Sequence, residues 1–276
     1  MTPSSYKHFF ALIFLCFLSL GLDFHRITPA LARDFPDGKD SQLKERIVFA
    51  VKWSFVPLID TYMETYQLGH GRKPDLYRLT HQASMNTFWN DRMESIVNSR
   101  SLLPYRMETI IKDKVRQWKD SIIFERNLGR ARLLCQDREN GGTTTNSVRI
   151  NPTSMDPLSA FYFLRKRLSP STPYLEVEGI TGSRRFSLRG ELVAQESIQV
   201  PAGTYDTYRL DCTLEYWPQG VNASEKCANL KRQKKNLFTL WVSQDEHRFP
   251  VQIRYHLPLG SLWVQAISVQ YYDLFS

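Results

Sequence analysis

Residues Met155 to Leu168 carry the clearest helix signal in a chain that otherwise alternates like strands. Asp156 suits an N-cap, Pro157 the first helical position, and Arg165, Lys166 and Arg167 the negative end of the helix dipole. Pro170 stops the segment. Leu158, Phe161, Leu164 and Leu168 fall at helical spacing and form a stripe that must be covered. A lone amphipathic helix among strands has one economical solution. A sheet packs over it.

The strands begin soon after a polar lead, Asp34 to Gln42. Ile47, Phe49, Val51, Trp53 and Phe55 alternate, with Glu45, Val48, Lys52 and Ser54 placed between them, as in a half-buried strand. Further segments run Leu58–Tyr66, Leu76–Ala83, Thr87–Asn98 and Arg130–Gln136. Leu103–Lys112 and Val115–Asn127 fit either strand or a helical turn, and Arg138–Asn146 reads as a hairpin tip. Beyond the helix come Tyr174–Thr181, Arg185–Val200, Tyr205–Tyr216, Asn236–Ser243, Pro250–Leu257 and Ser261–Leu274. No repeat or linker divides this series, so residues 33–276 form one mainly β domain of sandwich or barrel type. A chain of 276 residues suffices for a sizeable core.

The N-terminus reads as an export signal. Lys7 and His8 precede an apolar run from Phe9 to Leu22, too short for a stable membrane span. Ala30-Leu31-Ala32 is a small-x-small site, placing cleavage before Arg33 and residues 1–32 in a signal peptide. Phe14-Leu15 before Cys16 lacks the small residue that a lipoprotein signal needs. An oxidising compartment follows, the periplasm in a bacterial reading. Cys212 and Cys227 then make the closest mature pair and are expected to form a disulfide, with Cys135 a buried thiol and its pairing with either one the rival.

Four stretches resemble a family of exported bacterial proteins known as domain of unknown function 3108. They are Glu45-Arg46-Ile47-Val48-Phe49-Ala50-Val51-Lys52-Trp53, then Asp156-Pro157-Leu158-Ser159-Ala160-Phe161-Tyr162-Phe163-Leu164-Arg165. Val200-Pro201-Ala202-Gly203-Thr204-Tyr205-Asp206-Thr207 follows, and Asp245 with Arg248-Phe249-Pro250-Val251 closes the set. Ser54-Phe55-Val56-Pro57-Leu58 departs from the pattern by lacking its glycines. The resemblance implies a curved antiparallel sheet or half-open barrel wrapping the helix of residues 156–168, akin to periplasmic lipoprotein carriers. It implies no established activity.

Motifs of catalysis are missing from the sequence. There is no His-Glu-x-x-His, phosphate-cradling glycine loop, Gly-x-Ser-x-Gly or Cys-x-x-Cys. A non-enzymatic protein without metal or cofactor is the expectation, with a hydrolase the remote alternative. Tyr162 and Arg165 share a helix face and are the candidate ligand-binding pair, since Arg grips carboxylate or phosphate through a planar fork. The plainer alternative has Tyr162 packing and Arg165 serving the helix C-terminus. Asp245, Glu246 and Arg248 suit a turn better than acid–base work.

A net charge of +8, or +7 after cleavage, favours an anionic envelope surface as partner. Lys226, Lys231, Arg232, Lys234 and Lys235 cluster without interleaved aromatics, which argues against nucleic acid. The leading reading is a periplasmic domain holding an apolar or lipidic ligand in a half-barrel. An envelope adaptor with a filled barrel is the second. An outer-membrane barrel, suggested by Tyr271-Tyr272-Asp273-Leu274-Phe275, conflicts with the helix and the charged strands.

Overall fold

A computed structural model describes residues 41–53, 56–68, 76–85, 89–113, 117–137, 142–182, 184–218, 234–257 and 260–272. The proposed signal segment, Cys227, Lys226, Lys231 and Arg232 lie outside them.

Among the described residues, fourteen strands form one antiparallel sheet around one helix. In chain order they are β1 (Ser41–Trp53), β2 (Val56–Leu68), β3 (Leu76–Met85), β4 (Trp89–Asn98), β5 (Pro104–Asp113), β6 (Gln117–Glu125), β7 (Arg130–Asp137) and β8 (Gly142–Arg149). Helix α1 (Pro157–Arg167) follows, then β9 (Tyr174–Thr181), β10 (Arg184–Val200), β11 (Gly203–Pro218), β12 (Lys234–Ser243), β13 (Pro250–Leu257) and β14 (Gly260–Tyr271). The spatial order is β8 back to β1, then β14 back to β9. Two meanders thus meet where β1 pairs with β14, and the free edges are the strands on either side of α1. The sheet curls without closing. Bulges after Leu43, Val48, Val51 and Leu192 bend its long strands.

Both ambiguous segments are strands, β5 and β6, followed by a single 3₁₀ turn at Arg126–Leu128. Of the expected hairpin tip at 138–146, residues 142–146 belong to strand β8, which pairs antiparallel with β7, and residues 138–141 lie outside the described residues. The threonine run of β8 is β-branched, and pairing Thr143–Thr145 with β7 outweighs the adjacent glycines. Asp245 holds the expected turn: Oδ1 accepts from the backbone N–H of His247 and Arg248, both at 3.0 Å.

The concave face buries the alternating residues of the strands, among them Ile47, Phe49, Leu79, Leu210, Leu240 and Leu262. Helix α1 fills the hollow, with Leu158, Phe161, Leu164 and Leu168 all in the core. The curled sheet covers far more than this stripe. Ser159, Ala160, Tyr162 and Arg165 are buried too, and only Lys166 and Arg167 reach solvent fully. The sequence suggests a two-faced helix; the molecule enwraps it on nearly every side.

Residues 150–156 tie α1 to the edge strand β9 and to the turn between β6 and β7. The Met155 N–H donates to Glu178 O at 3.0 Å, and the Ile180 N–H donates to Met155 O at 2.9 Å. On the other side, the Arg126 guanidinium donates to the carbonyls of Ser154 (2.8 Å) and Pro104 (3.1 Å). The close approach to β9 needs Gly179, where a Cβ would stand 2.2 Å from Met155 O and 2.3 Å from a Phe186 ring carbon. Gly179→Ala is therefore expected to destabilise by about 3 kcal/mol. At Gly190 the nearest atoms are the Leu164 and Leu168 side-chain tips at 2.8 Å, which can rotate, so Gly190→Ala should cost about 1 kcal/mol. Urea unfolding of both variants checks this; equal losses would contradict it.

Cys212 is a correction. It lies mid-strand on β11, in phase with the buried Leu210 and Leu214, and is a free buried thiol rather than half of a bridge. Alternation turns its sulfur into the core, between Gly190 and Phe238 on the neighbouring strands. Burial pushes the thiol pKa well above its ordinary value. Cys135 is half-buried and hydrogen-bonds the Asp120 carboxylate.

Candidate functional site

Helix α1 divides the hollow into two environments. Its N-terminal end is set by Asp156, whose Oδ1 accepts from the Ser159 N–H at 2.8 Å while Ser159 Oγ accepts from the Asp156 N–H at 3.1 Å. This is a reciprocal capping box. The other carboxylate oxygen accepts from Ser95 Oγ at 2.5 Å, which locks the helix start to β4. Asp156 is fully buried and its pKa is raised by that burial. Capping and the bond from Ser95 account for its hydrogen bonds.

Toward the helix C-terminus lies a buried ion pair. Arg165 Nη2 donates to Glu45 Oε1 at 2.7 Å and Oε2 at 2.9 Å. The guanidinium carbon also sits 4.2 Å from the Tyr162 ring centroid. The Thr65 hydroxyl bridges the group, 3.2 Å from Tyr162 Oη and 3.4 Å from Glu45 Oε1. Burial opposes the charge on Arg165, but Glu45 and Tyr162 outweigh it and hold its pKa above the ordinary value. Burial raises the Tyr162 pKa strongly, so the phenol stays neutral. Tyr162 and Arg165 are each 2% exposed. They are interior residues joined to β1 and β2, and they do not line the cavity described next. The expected head-group contact is replaced by an internal one.

Glu45 is the residue that sequence reasoning misplaces: set among the residues between the apolar ones, it stands two before Ile47 and shares the inward phase of Ile47, Phe49 and Val51. At 6% exposure it is part of the interior. An odd-numbered acid in an odd-numbered apolar series was the available signal.

Under the N-terminal half of α1 the packing is incomplete. Pro157, Leu158 and Phe161 face Phe49, Val51, Met63, Met93, Ile253, Leu262 and Val264 across a cavity of about 60 Å³. The same pocket is partly open, and its empty space together with the adjoining solvent amounts to about 670 Å³. Three polar side chains interrupt the apolar wall, those of Thr61, His81 and Tyr255. The Thr61 hydroxyl donates to Gln82 O at 2.7 Å and lies 2.8 Å from His81 Nε2. With its one proton committed to the carbonyl, Thr61 accepts from His81, which fixes the Nε2–H tautomer. Burial lowers the His81 pKa to about 4, so the ring is neutral at physiological pH.

One step beyond the lining, on β4, is Asp91. Its backbone pairs with Ala83, which pairs with Thr61. By alternation it shares the inner face with Met93. Asp91 is 1% exposed, and its Oδ1 has no hydrogen-bond partner. Burial raises its pKa to about 7. Asp120, on the inner face two strands away, rises to about 6 by burial, against the hydrogen bond from Cys135. Among the described residues, no group of His, Cys, Asp or Glu is arranged to hold a metal ion. No described helix is long and apolar enough to cross a membrane.

A family model for DUF3108, described as a protein of unknown function, matches residues 48–266. No curated protein matches the sequence. Among solved structures, a β-barrel-like protein of domain of unknown function DUF1849 from Brucella abortus is 8% identical with a TM-score of 0.53, covering 84% of this chain and 98% of that one. A candidate lipoprotein from Parabacteroides distasonis is 9% identical with a TM-score of 0.32, covering 83% and 96%. A candidate exported protein of YmcC-like fold from Bacteroides fragilis is 8% identical with a TM-score of 0.32, covering 84% and 97%. The first likeness bears on the fold.

Proposed function

The chain belongs to the DUF3108 family, and from that premise we propose that it is an exported, non-enzymatic envelope protein that holds an apolar or lipidic ligand beneath α1. The observation that carries this reading is the cavity between Leu158 and Phe161 and the inner faces of β1, β2, β13 and β14. A concave apolar site with a few convergent polar groups is the usual form of a small-molecule site. Export to the periplasm rests on the signal-like residues 1–32, and the basic balance suits contact with an anionic envelope surface.

A second reading, a filled structural or adaptor barrel, draws on the small size of the cavity, about 60 Å³. The Glu45–Arg165 group likewise plugs the other half of the hollow. Native mass spectrometry of the protein taken from its own envelope separates the two. We expect a polypeptide beginning at Arg33 with a non-covalent adduct of lipid mass. A bare polypeptide from every gentle preparation would overturn the ligand reading and favour the filled barrel.

A further inference from the structure

Two neighbouring hairpins that wall the cavity end in apolar residues, where turns are ordinarily polar. Val56, which pairs with Trp53 at the last described step of β1 and β2, is 46% exposed. Pro57 beside it is exposed too, and Trp53, Leu58 and Ile59 are half-buried. The adjacent β13–β14 hairpin ends on the pair Leu257 and Gly260, again without a charge. Val51, Tyr255 and Leu262 belong to these same strand ends and line the cavity.

Just inside that apolar end, the outer face carries a row of three side chains. Lys52 pairs with Trp263, and Trp263 pairs with Arg254. The Arg254 guanidinium carbon lies 4.9 Å from a Trp263 ring centroid, and its Nε donates to Ser261 Oγ at 3.0 Å. Lys52 Nζ donates to Gln265 Oε1 at 3.4 Å. Among the described residues neither cation meets a carboxylate. Asp60 is the one acid within residues 50–60 and 252–265.

We propose that these two hairpin ends dock on the surface of an anionic phospholipid bilayer, with Val56 and Pro57 inserted and Lys52 and Arg254 on the head groups. The inference rests on the envelope reading above and not on the ligand. An indole between cations sits at head-group level, Lys and Arg meet anionic lipid, and apolar side chains enter the acyl boundary by about 5–10 Å. A protein partner fits less well. Stable complexes take about 20–30 residues from each side, and two hairpin ends offer far fewer.

The test is flotation of the exported, processed protein with vesicles of phosphatidylethanolamine and about one quarter phosphatidylglycerol, against vesicles of phosphatidylcholine alone. The parent is expected to float with the anionic vesicles at low salt and to release as salt rises. Lys52→Glu/Arg254→Glu should bind at least about tenfold more weakly. Val56→Asp, which puts a charge at the tip, should also weaken binding about tenfold. Arg100→Glu/Arg167→Glu changes the net charge equally at the C-terminal end of α1 and should stay within about threefold of the parent. Every substituted side chain reaches solvent at least in part, so the urea midpoints of all three variants should match the parent.

Absence of flotation by the parent overturns the docking surface. An equal loss in the two charge-reversed pairs does so too, because it traces binding to net charge alone. Equal binding to phosphatidylcholine, undiminished in every variant, would trace attachment to residues 1–32 and also overturn it. The headless fluorophore N-phenylnaphthylamine reads the cavity separately, and its binding should be the same in the parent and in Lys52→Glu/Arg254→Glu. Its failure to bind the parent overturns the ligand reading while leaving the docking surface standing.

Discussion

Arg165→Met is expected to lower the free energy of unfolding by about 3–5 kcal/mol, the usual loss when one partner of a buried ion pair is removed. The physical source is the survivor. Glu45 is 6% exposed and would keep its carboxylate inside the barrel with only the Thr65 hydroxyl at 3.4 Å beside it. The reciprocal Glu45→Met should lose a similar amount, since Arg165 would retain only the Tyr162 ring. Replacing both with methionine removes both charges at once and should recover most of the loss, because an apolar pair of similar volume needs no desolvation compensation. Urea unfolding of the three variants measures the cycle. A single Arg165→Met variant within 1 kcal/mol of the parent would show that water reaches the pair.

Asp91 should leave a pH signature of about 4 kcal/mol. Its pKa of about 7 in the fold compares with an ordinary value of 3.8, a difference worth about 1.4 kcal/mol per unit. Below pH 3.8 both states hold the proton. Between there and pH 7 the unfolded chain releases a proton that the fold retains, so stability falls as pH rises. Above pH 7 the loss is complete and the curve flattens. Asp120, raised to about 6, acts in the same direction over a narrower window. His81 acts oppositely: the fold refuses a proton down to pH 4 that the unfolded chain accepts below 6.5, so its contribution is lost as pH falls. Asp156, also raised by burial, belongs with the other acids. Subtraction isolates the Asp91 share. The stability curves of the parent and Asp91→Asn should lie close together at pH 4 and diverge up to pH 7.5, with the variant the more stable. Parallel curves across that range would show that Asp91 ionises at its ordinary pH.

Local chemistry determined much of this protein. Asp156, Pro157 and Ser159 specify the helix start through backbone groups that lie within three residues, and period-two alternation specifies the strands. The turn at Asp245 is equally local. The four stretches shared with DUF3108 made the curved sheet around α1 legible before any coordinate.

What needed the tertiary structure is everything that depends on which surfaces meet. A helix stripe says which face must be covered but not how far the sheet curls, so Tyr162 and Arg165 looked like an outward pair and are interior. Their partner Glu45 is 120 residues away from Arg165 in sequence, beyond the reach of spacing arguments. Cys212 looked available to a loop cysteine until strand pairing with Gly190 and Phe238 turned it inward. Asp91, one acid within the Thr87–Asn98 segment, carries no mark of burial in the sequence; the pairing of β3 and β5 on either side of β4 leaves it 1% exposed. Secondary structure follows from neighbours along the chain, whereas burial is a property of the assembled sheet. The cavity, its apolar wall and the unpartnered carboxyl oxygen of Asp91 belong to that second kind of fact.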